Sequence, residues 1–212
     1  MKKKKIFYAV LSFFLIATGI SLIIVSLPKK NSKEKEAEYL PCPVLKEGET
    51  MDVILPSSLH ERRSAYSATL YLKREGRCVD AWVNEDGKLV VRYDRETLEQ
   101  EYKSYYDTLI TEVNSSENDK IKLKVSYDYS EIYMYVSDGA DIENFAWSGM
   151  VVPRVCIYLR LLQGLSPEEA TVEVIYIYEP TGKELLRVDE KTDGFHMNQD
   201  DWQKLLEEAR QG

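Results

Sequence analysis

Histidine and cysteine are scarce in this chain of 212 residues. It holds two histidines, His60 and His196, and three cysteines, Cys42, Cys78 and Cys156. A Ser/His/Asp or Cys/His nucleophile system needs a base beside the nucleophile and a third group to orient it. His60 stands in SSLHERR with no elbow motif or oxyanion loop, so it reads as a solvated loop histidine. No CxxC pair or Cys/His metal spacing occurs, and the odd cysteine count leaves at least one thiol free. A Cys42–Cys78 bridge is open to a domain facing an oxidising space, whereas Cys156 falls in an apolar stretch and reads as a core residue. Glycine-rich phosphate loops are missing as well. No catalytic residue and no cofactor are expected, and adjacent carboxylates such as Glu168/Glu169 or Asp200/Asp201 read as charges at helix starts.

Net positive charge is also lacking beyond the first 35 residues. The net charge of −8 conceals eight lysines and one glutamate in residues 1–35, leaving −15 on the remainder. So acidic a domain repels nucleic acid and anionic headgroups, which excludes nucleic acid as a partner.

What the chain does have is one long apolar run. Ile6 to Leu27 contains 22 residues without a charged side chain, between MKKKK and PKKNSKEKEAE. As a helix it spans roughly 33 Å, enough for a hydrocarbon core of about 30 Å. A cleavable signal peptide would have a shorter apolar region and a small-x-small exit, and VSLPKK offers none. The run predicts a transmembrane anchor in the lipid bilayer, with residues 1–5 as a cytoplasmic tail. Lysine counts at its two ends are equal, but four lysines and an amine on a five-residue tail are hard to translocate. The orientation expected is N-in, with the C-terminal domain outside the cell membrane.

Residues 28–48 are rich in Pro, Lys, Glu and Ser, which predicts a flexible stalk. The extracytoplasmic α+β domain is then expected over 49–212. DVIL, SAYSATLYLK, RCVDAWV and LVVRY read as a β-meander over 49–93, with a turn at Asp86-Gly87. Asp94 caps a helix in which Leu98, Tyr102, Tyr105, Leu109 and Val113 recur at helical spacing. Alternation at Ile121–Tyr127 and Ile132–Val136 predicts a hairpin, followed by an apolar helix in which Pro153 marks either a kink or a first turn beginning near Val151–Val152. TVEVIYIYEPTGKELLRVDE predicts another hairpin, and NQDDWQKLLEEARQ a closing helix capped by Asn198. From residue 88 the order is strand, helix, strand, strand, helix, strand. That is the split β-α-β order of a ferredoxin-like antiparallel sheet with helices on one face, here with an added strand and terminal helix over 88–212.

The runs GKLVVRYDRETLEQEYKSYYDTLI and YLRLLQGLSPEEATVEVIYIYEPTGKEL resemble a family of uncharacterised exported or membrane-anchored proteins of Gram-positive, clostridia-type bacteria. The resemblance covers residues 87–188, about half of the chain. It implies an extracytoplasmic setting and no particular activity. Members of the family often carry a lipobox, where this chain has an anchor helix.

Two constellations remain. DEKTDGFHMNQD partly fits a calcium loop through Asp189, Asp193 and Asp200, but Lys191 occupies a ligand position, and a turn with a helix cap is the simpler reading. Tyrosine, with 15 residues, is the more informative. Tyr133 and Tyr135 alternate against Ile132, Met134 and Val136, which places their rings on the far side of the sheet beside Lys122 and Lys124. With Tyr176 and Tyr178 they form the candidate binding set, for an envelope protein or glycan partner. A non-enzymatic binding module of the bacterial envelope is the leading expectation. The alternatives are an envelope hydrolase or transferase using carboxylates, and a domain facing the cytoplasm.

Overall fold

The computed structural model describes residues 39–60, 63–116, 120–189 and 198–211. The apolar run 6–27 lies outside them. Among the described residues no helix is long and apolar enough to cross a membrane.

The domain is α+β, with two sheets and four α-helices among the described residues. The first sheet has the order β1-β3-β2, from β1 (Met51–Leu55), β2 (Asp80–Val83) and β3 (Leu89–Tyr93), all antiparallel. The second runs β4-β5-β6-β7, from β4 (Ile121–Val125), β5 (Glu131–Val136), β6 (Glu173–Tyr178) and β7 (Lys183–Asp189). Helix α1 (Ala65–Arg74) rests on β2 and β3, and α4 (Gln199–Gln211) on β7. Helices α2 (Arg95–Ser115) and α3 (Ile142–Leu162) pack on each other and touch both sheets, α2 at β3 and β4, α3 at β1 and β6. One continuous core results, running from Leu55 and Val91 through Leu98 and Leu159 to Met134 and Trp202.

Local chemistry explains most elements. Asp94 accepts the Thr97 amide at 2.9 Å while Thr97 Oγ1 accepts the Asp94 amide at 3.0 Å, a closed capping box that starts α2. Asn198 Oδ1 accepts the Asp201 amide at 2.9 Å and starts α4. The β2–β3 and β6–β7 hairpins turn at Gly87 and Gly182, both at positive φ. Pro153 sits inside α3, so that helix continues through the proline instead of beginning at it.

Three expectations need correction. SAYSATLYLK is helix α1, not a strand. Its alternation of Tyr66, Ala68, Leu70 and Leu72 is equally met by a helix that buries Ala68, Thr69 and Leu72, and Ser64 caps it by accepting the Ser67 amide at 3.1 Å. The ferredoxin-like single sheet is not formed, because β3 pairs with β1 and β2 and never joins β4–β7. The second sheet is also mixed rather than antiparallel, since β6 returns from α3 parallel to β5.

The expected stalk ends earlier than its composition suggests. Residues 39–45 form a strap against α2, α3 and the β4–β5 turn. The Leu40 amide donates to Tyr127 O at 3.0 Å, and Gln163 Nε2 donates to Pro41 O at 2.8 Å. Leu40 O accepts the Tyr129 hydroxyl at 2.9 Å and the Tyr102 hydroxyl as well. Tyr39 stacks on Tyr129 at 5.5 Å. Tyr129 itself holds φ 62°, a left-handed conformation costing about 1–2 kcal/mol for a residue with a Cβ. Its buried ring and shared hydroxyl keep it there. Tyr129→Phe is expected to cost about 1 kcal/mol, and the double change with Tyr102→Phe about 2–3 kcal/mol, because Leu40 O then loses both hydroxyl donors. Hydrogen exchange checks this: the Leu40 amide should exchange faster in the double variant while the α3 amides stay protected.

Candidate binding face

Strand alternation gives the second sheet two unlike faces. Ile121, Leu123, Ile132, Met134, Val136 and Val174 point into the core. The outer face begins at β4 with exposed Lys122 and Lys124. Lys122 stands opposite Tyr135, and Lys124 opposite Tyr133. One strand further, Tyr133 neighbours Ile175 and Tyr135 neighbours Ile177. Tyr133, Tyr135 and Ile177 are half-buried, whereas the flanking side chains bury Ile175. Two phenol rings and two isoleucines thus make a small apolar floor, with lysines along one border.

The opposite border is an ion-pair cluster. Arg187 on β7 reaches Glu173 at 2.6 Å, Glu184 at 3.0 Å and Glu131 at 3.9 Å. Bonds to Glu184 and Glu173 hold its guanidinium further above its ordinary value. The Tyr133 hydroxyl donates to Glu131, and that bond pushes the phenol pKa up. On the lysine side, Lys124 Nζ lies 5.1 Å from the Tyr135 ring centroid, a cation–π contact, and Lys122 pairs with Glu179. The face is therefore dipolar, basic along β4 and carboxylate-rich along β6 and β7.

The structure divides the four candidate tyrosines. Tyr133 and Tyr135 share the outer face. Tyr176 and Tyr178 lie on the core face, opposite Met134 and Val136, at 4% and 2% exposure. Tyr176 stands edge-on to Trp202 at 5.9 Å, and burial pushes its phenol to about 12. The Tyr178 hydroxyl donates to Asp138 at 2.8 Å. Every position of β6 from Val174 to Tyr178 is apolar or aromatic, so periodicity there gave no means of choosing a side. Pairing with β5 chooses it. Ile175, Ile177 and Arg187 are the outer-face residues that sequence reasoning missed, and their signal is the alternate-residue register of β6 and β7.

The calcium set lies only partly within the described residues. Asp189 is exposed at the end of β7, Asp200 lies in the first turn of α4, and Asp193 lies outside the described residues. Among the described residues no group of three His, Cys, Asp or Glu could hold a metal ion. None of the three cysteines is in a disulfide: Cys42 is partly buried, and Cys78 and Cys156 are buried. Burial, with Glu99 adding to it, pushes the Cys42 thiol to about 11. His60 Nδ1 lies 3.2 Å from Arg63 O, a loop contact.

A shallow groove of about 360 Å³ lies between the 46–50 loop and the start of α2, bordered by Glu47, Glu49, Asp94 and Glu96. One of its carboxylates, Asp94, is already engaged as the helix cap, and its pKa lies below the ordinary value.

The shifted carboxyls set an expected pH response. The Arg92 fork bonds Asp52 at 2.6 and 2.7 Å and lowers it. The Tyr178 hydroxyl, then Arg210, lowers Asp138. At Asp128 burial acts upward, and the Ser130 and Ser126 hydroxyls overcome it. Folded values below the model-compound 3.8 mean that the stabilisation is complete above that pH and is lost as pH falls through the lower folded values. The thermal midpoint is expected to be flat between about pH 7 and 5 and to fall below about pH 4, as a circular-dichroism series would record.

Comparison of the chain with protein-family models, curated proteins and solved structures gives no match, so the face is read from its own geometry.

Proposed function

We propose that this is a single-pass membrane protein of the bacterial envelope, anchored through residues 6–27, whose domain lies outside the cell and serves as a binding module without catalytic activity. The observation that carries the binding role is the outer face of the β4–β7 sheet, where Tyr133, Tyr135 and Ile177 stay half-buried between charged borders. Apolar side chains grouped on a solvated sheet face cost solubility and are retained where a partner covers them. Support for the setting comes from the long uncharged run, the compact lysine block before it and the resemblance to exported clostridia-type proteins.

The hydrolase or transferase reading finds little support. A general acid needs a carboxyl raised toward neutrality by burial. Asp52, Asp80, Asp94, Asp128, Asp138 and Glu169 are the described carboxyls with shifted values, and all six shift down.

Cosedimentation of the full-length chain, in neutral detergent, with cell-envelope fragments of its own organism tests the reading. Tyr133→Ser with Tyr135→Ser should abolish association while changing stability by less than about 1 kcal/mol, as expected of half-exposed positions. Undiminished association of that variant would remove the face from the account.

A further inference from the structure

We infer that the groove between α2, α3 and the β4–β5 turn recognises a proline-containing peptide in polyproline II conformation. The strap 39–45 is its built-in occupant, displaced when such a segment of another protein binds. The site is separate from the outer sheet face and does not depend on the reading of that face.

The strap is extended by its own chemistry. Its sequence is YLPCPVL, in which proline fixes φ near −65° at Pro41 and Pro43. The residue before each, Leu40 and Cys42, is pushed out of the helical region. Exposure along the strap has a period of three: Pro41 and Val44 are exposed, and the five others are partly buried. A strand would alternate with a period of two, whereas a polyproline II helix has three residues per turn. Two residues of each turn therefore face the groove.

The groove supplies what such a segment lacks. A polyproline II helix has no internal hydrogen bonds, and its prolines donate none, so its carbonyls need donors from outside. The Tyr102 and Tyr129 hydroxyls both reach Leu40 O, and Gln163 Nε2 donates to the next carbonyl, Pro41 O, at 2.8 Å. Rings complete the wall: Tyr39 stacks on Tyr129 at 5.5 Å and stands edge-on to Tyr106 at 6.0 Å. Grooves lined by aromatic rings are a recurring means of reading proline-rich segments. The β4–β5 turn keeps a tyrosine at a left-handed position that glycine would hold without strain. What Tyr129 adds there is its ring against Tyr39 and its hydroxyl on the strap.

None of these contacts needs the covalent link from strap to β1, so a peptide of the same pattern can make them all. Residues 46–50 between the two are exposed throughout, with Gly48 at φ 80°, which lets the strap leave while β1 stays paired. A tethered strap competes at an effective concentration on the order of 1 mM, so displacement requires a partner at comparable local concentration.

The test uses the full-length chain in neutral detergent, with a fluorescent synthetic peptide YLPSPVL and a proline-free control, YLASAVL. Tyr39→Ala with Pro41→Gly and Pro43→Gly frees the groove, and a thermal melt confirms that this opened variant is folded. YLPSPVL should bind it at least tenfold tighter than it binds the parent chain, where the strap competes, and at least tenfold tighter than YLASAVL does. Adding Tyr129→Phe and Gln163→Ala should weaken the peptide at least tenfold. The parent chain gives a second readout, since Cys42 is partly buried while the strap is seated. YLPSPVL in excess of the strap's effective concentration should raise maleimide labelling of Cys42 at least fivefold, and YLASAVL should not. Three results would each overturn the inference: no binding to the folded, opened variant, equal binding of the two peptides, or binding that survives the groove changes. Cys42 labelling that YLPSPVL leaves unchanged would overturn it as well, and decides alone if the opened variant does not fold.

Discussion

Trp202→Ala is expected to destabilise the domain by about 3–5 kcal/mol, the usual range for removing a fully buried indole. Trp202 has no exposed surface, stands edge-on to Tyr176, and donates from Nε1 to Ala140 O at 2.8 Å. Its removal leaves a large void and strips an interior carbonyl of its donor. Helix α4 has 13 residues, too few to be stable alone in water, and its other buried anchors are Leu206 and Ala209. The helix should therefore detach before the rest unfolds. Urea unfolding followed by circular dichroism, with amide exchange in α4, measures both parts. A loss below about 1 kcal/mol would contradict the packing of α4 described above.

Glu101→Ala should cost about 2–3 kcal/mol. Its carboxylate is buried on α2 and bonds the Arg77 guanidinium, with Nε at 3.0 Å. Removing it leaves a cation beside Tyr105 and the fully buried Tyr93, and Tyr105 is itself stacked on Tyr158 at 4.2 Å. Breaking a buried pair typically costs about 3–5 kcal/mol, and the 32% exposure of the Arg77 side chain moves this one to a lower value. Replacing both partners by apolar residues, Arg77→Met with Glu101→Leu, should recover most of the loss, because no charge is then left without its counterion. If the double change is as damaging as the single one, the pair is contributing packing instead of charge compensation.

Local signals in the sequence reached as far as local physics determines structure. Asp94 and Asn198 announced their helices because capping is a contact within three residues. The alternation in IKLKV and EIYMYV placed Lys122, Lys124, Tyr133 and Tyr135 on one face, because a strand has a period of two. Choices made over long distances were not legible. Whether β3 joined β4–β7 or paired with β1 depends on contacts some 40 residues apart, and its own residues, LVVRY, suit either sheet. Tyr176 and Tyr178 were assigned with Tyr133 and Tyr135, because β6 is apolar on both sides and only its register with β5 separates them. The strap reads as linker from its prolines. Its attachment comes from Tyr102, Tyr129 and Gln163, far along the chain. In α1 the missed signals were Ser64 before the helix and Gly76, at φ 65°, after it.

If the chain is anchored as proposed, the side of the membrane limits every candidate partner, and thiol labelling reads it directly. Native Cys42 is a poor reporter, since it is partly buried and its thiol is pushed to about 11, while Cys78 and Cys156 are buried. Val44 is 79% exposed on the strap, so Val44→Cys supplies a reactive thiol there. In intact cells a membrane-impermeant maleimide should label this variant, and label the parent chain far less. Labelling only after permeabilisation would place the domain in the cytoplasm and contradict the envelope role.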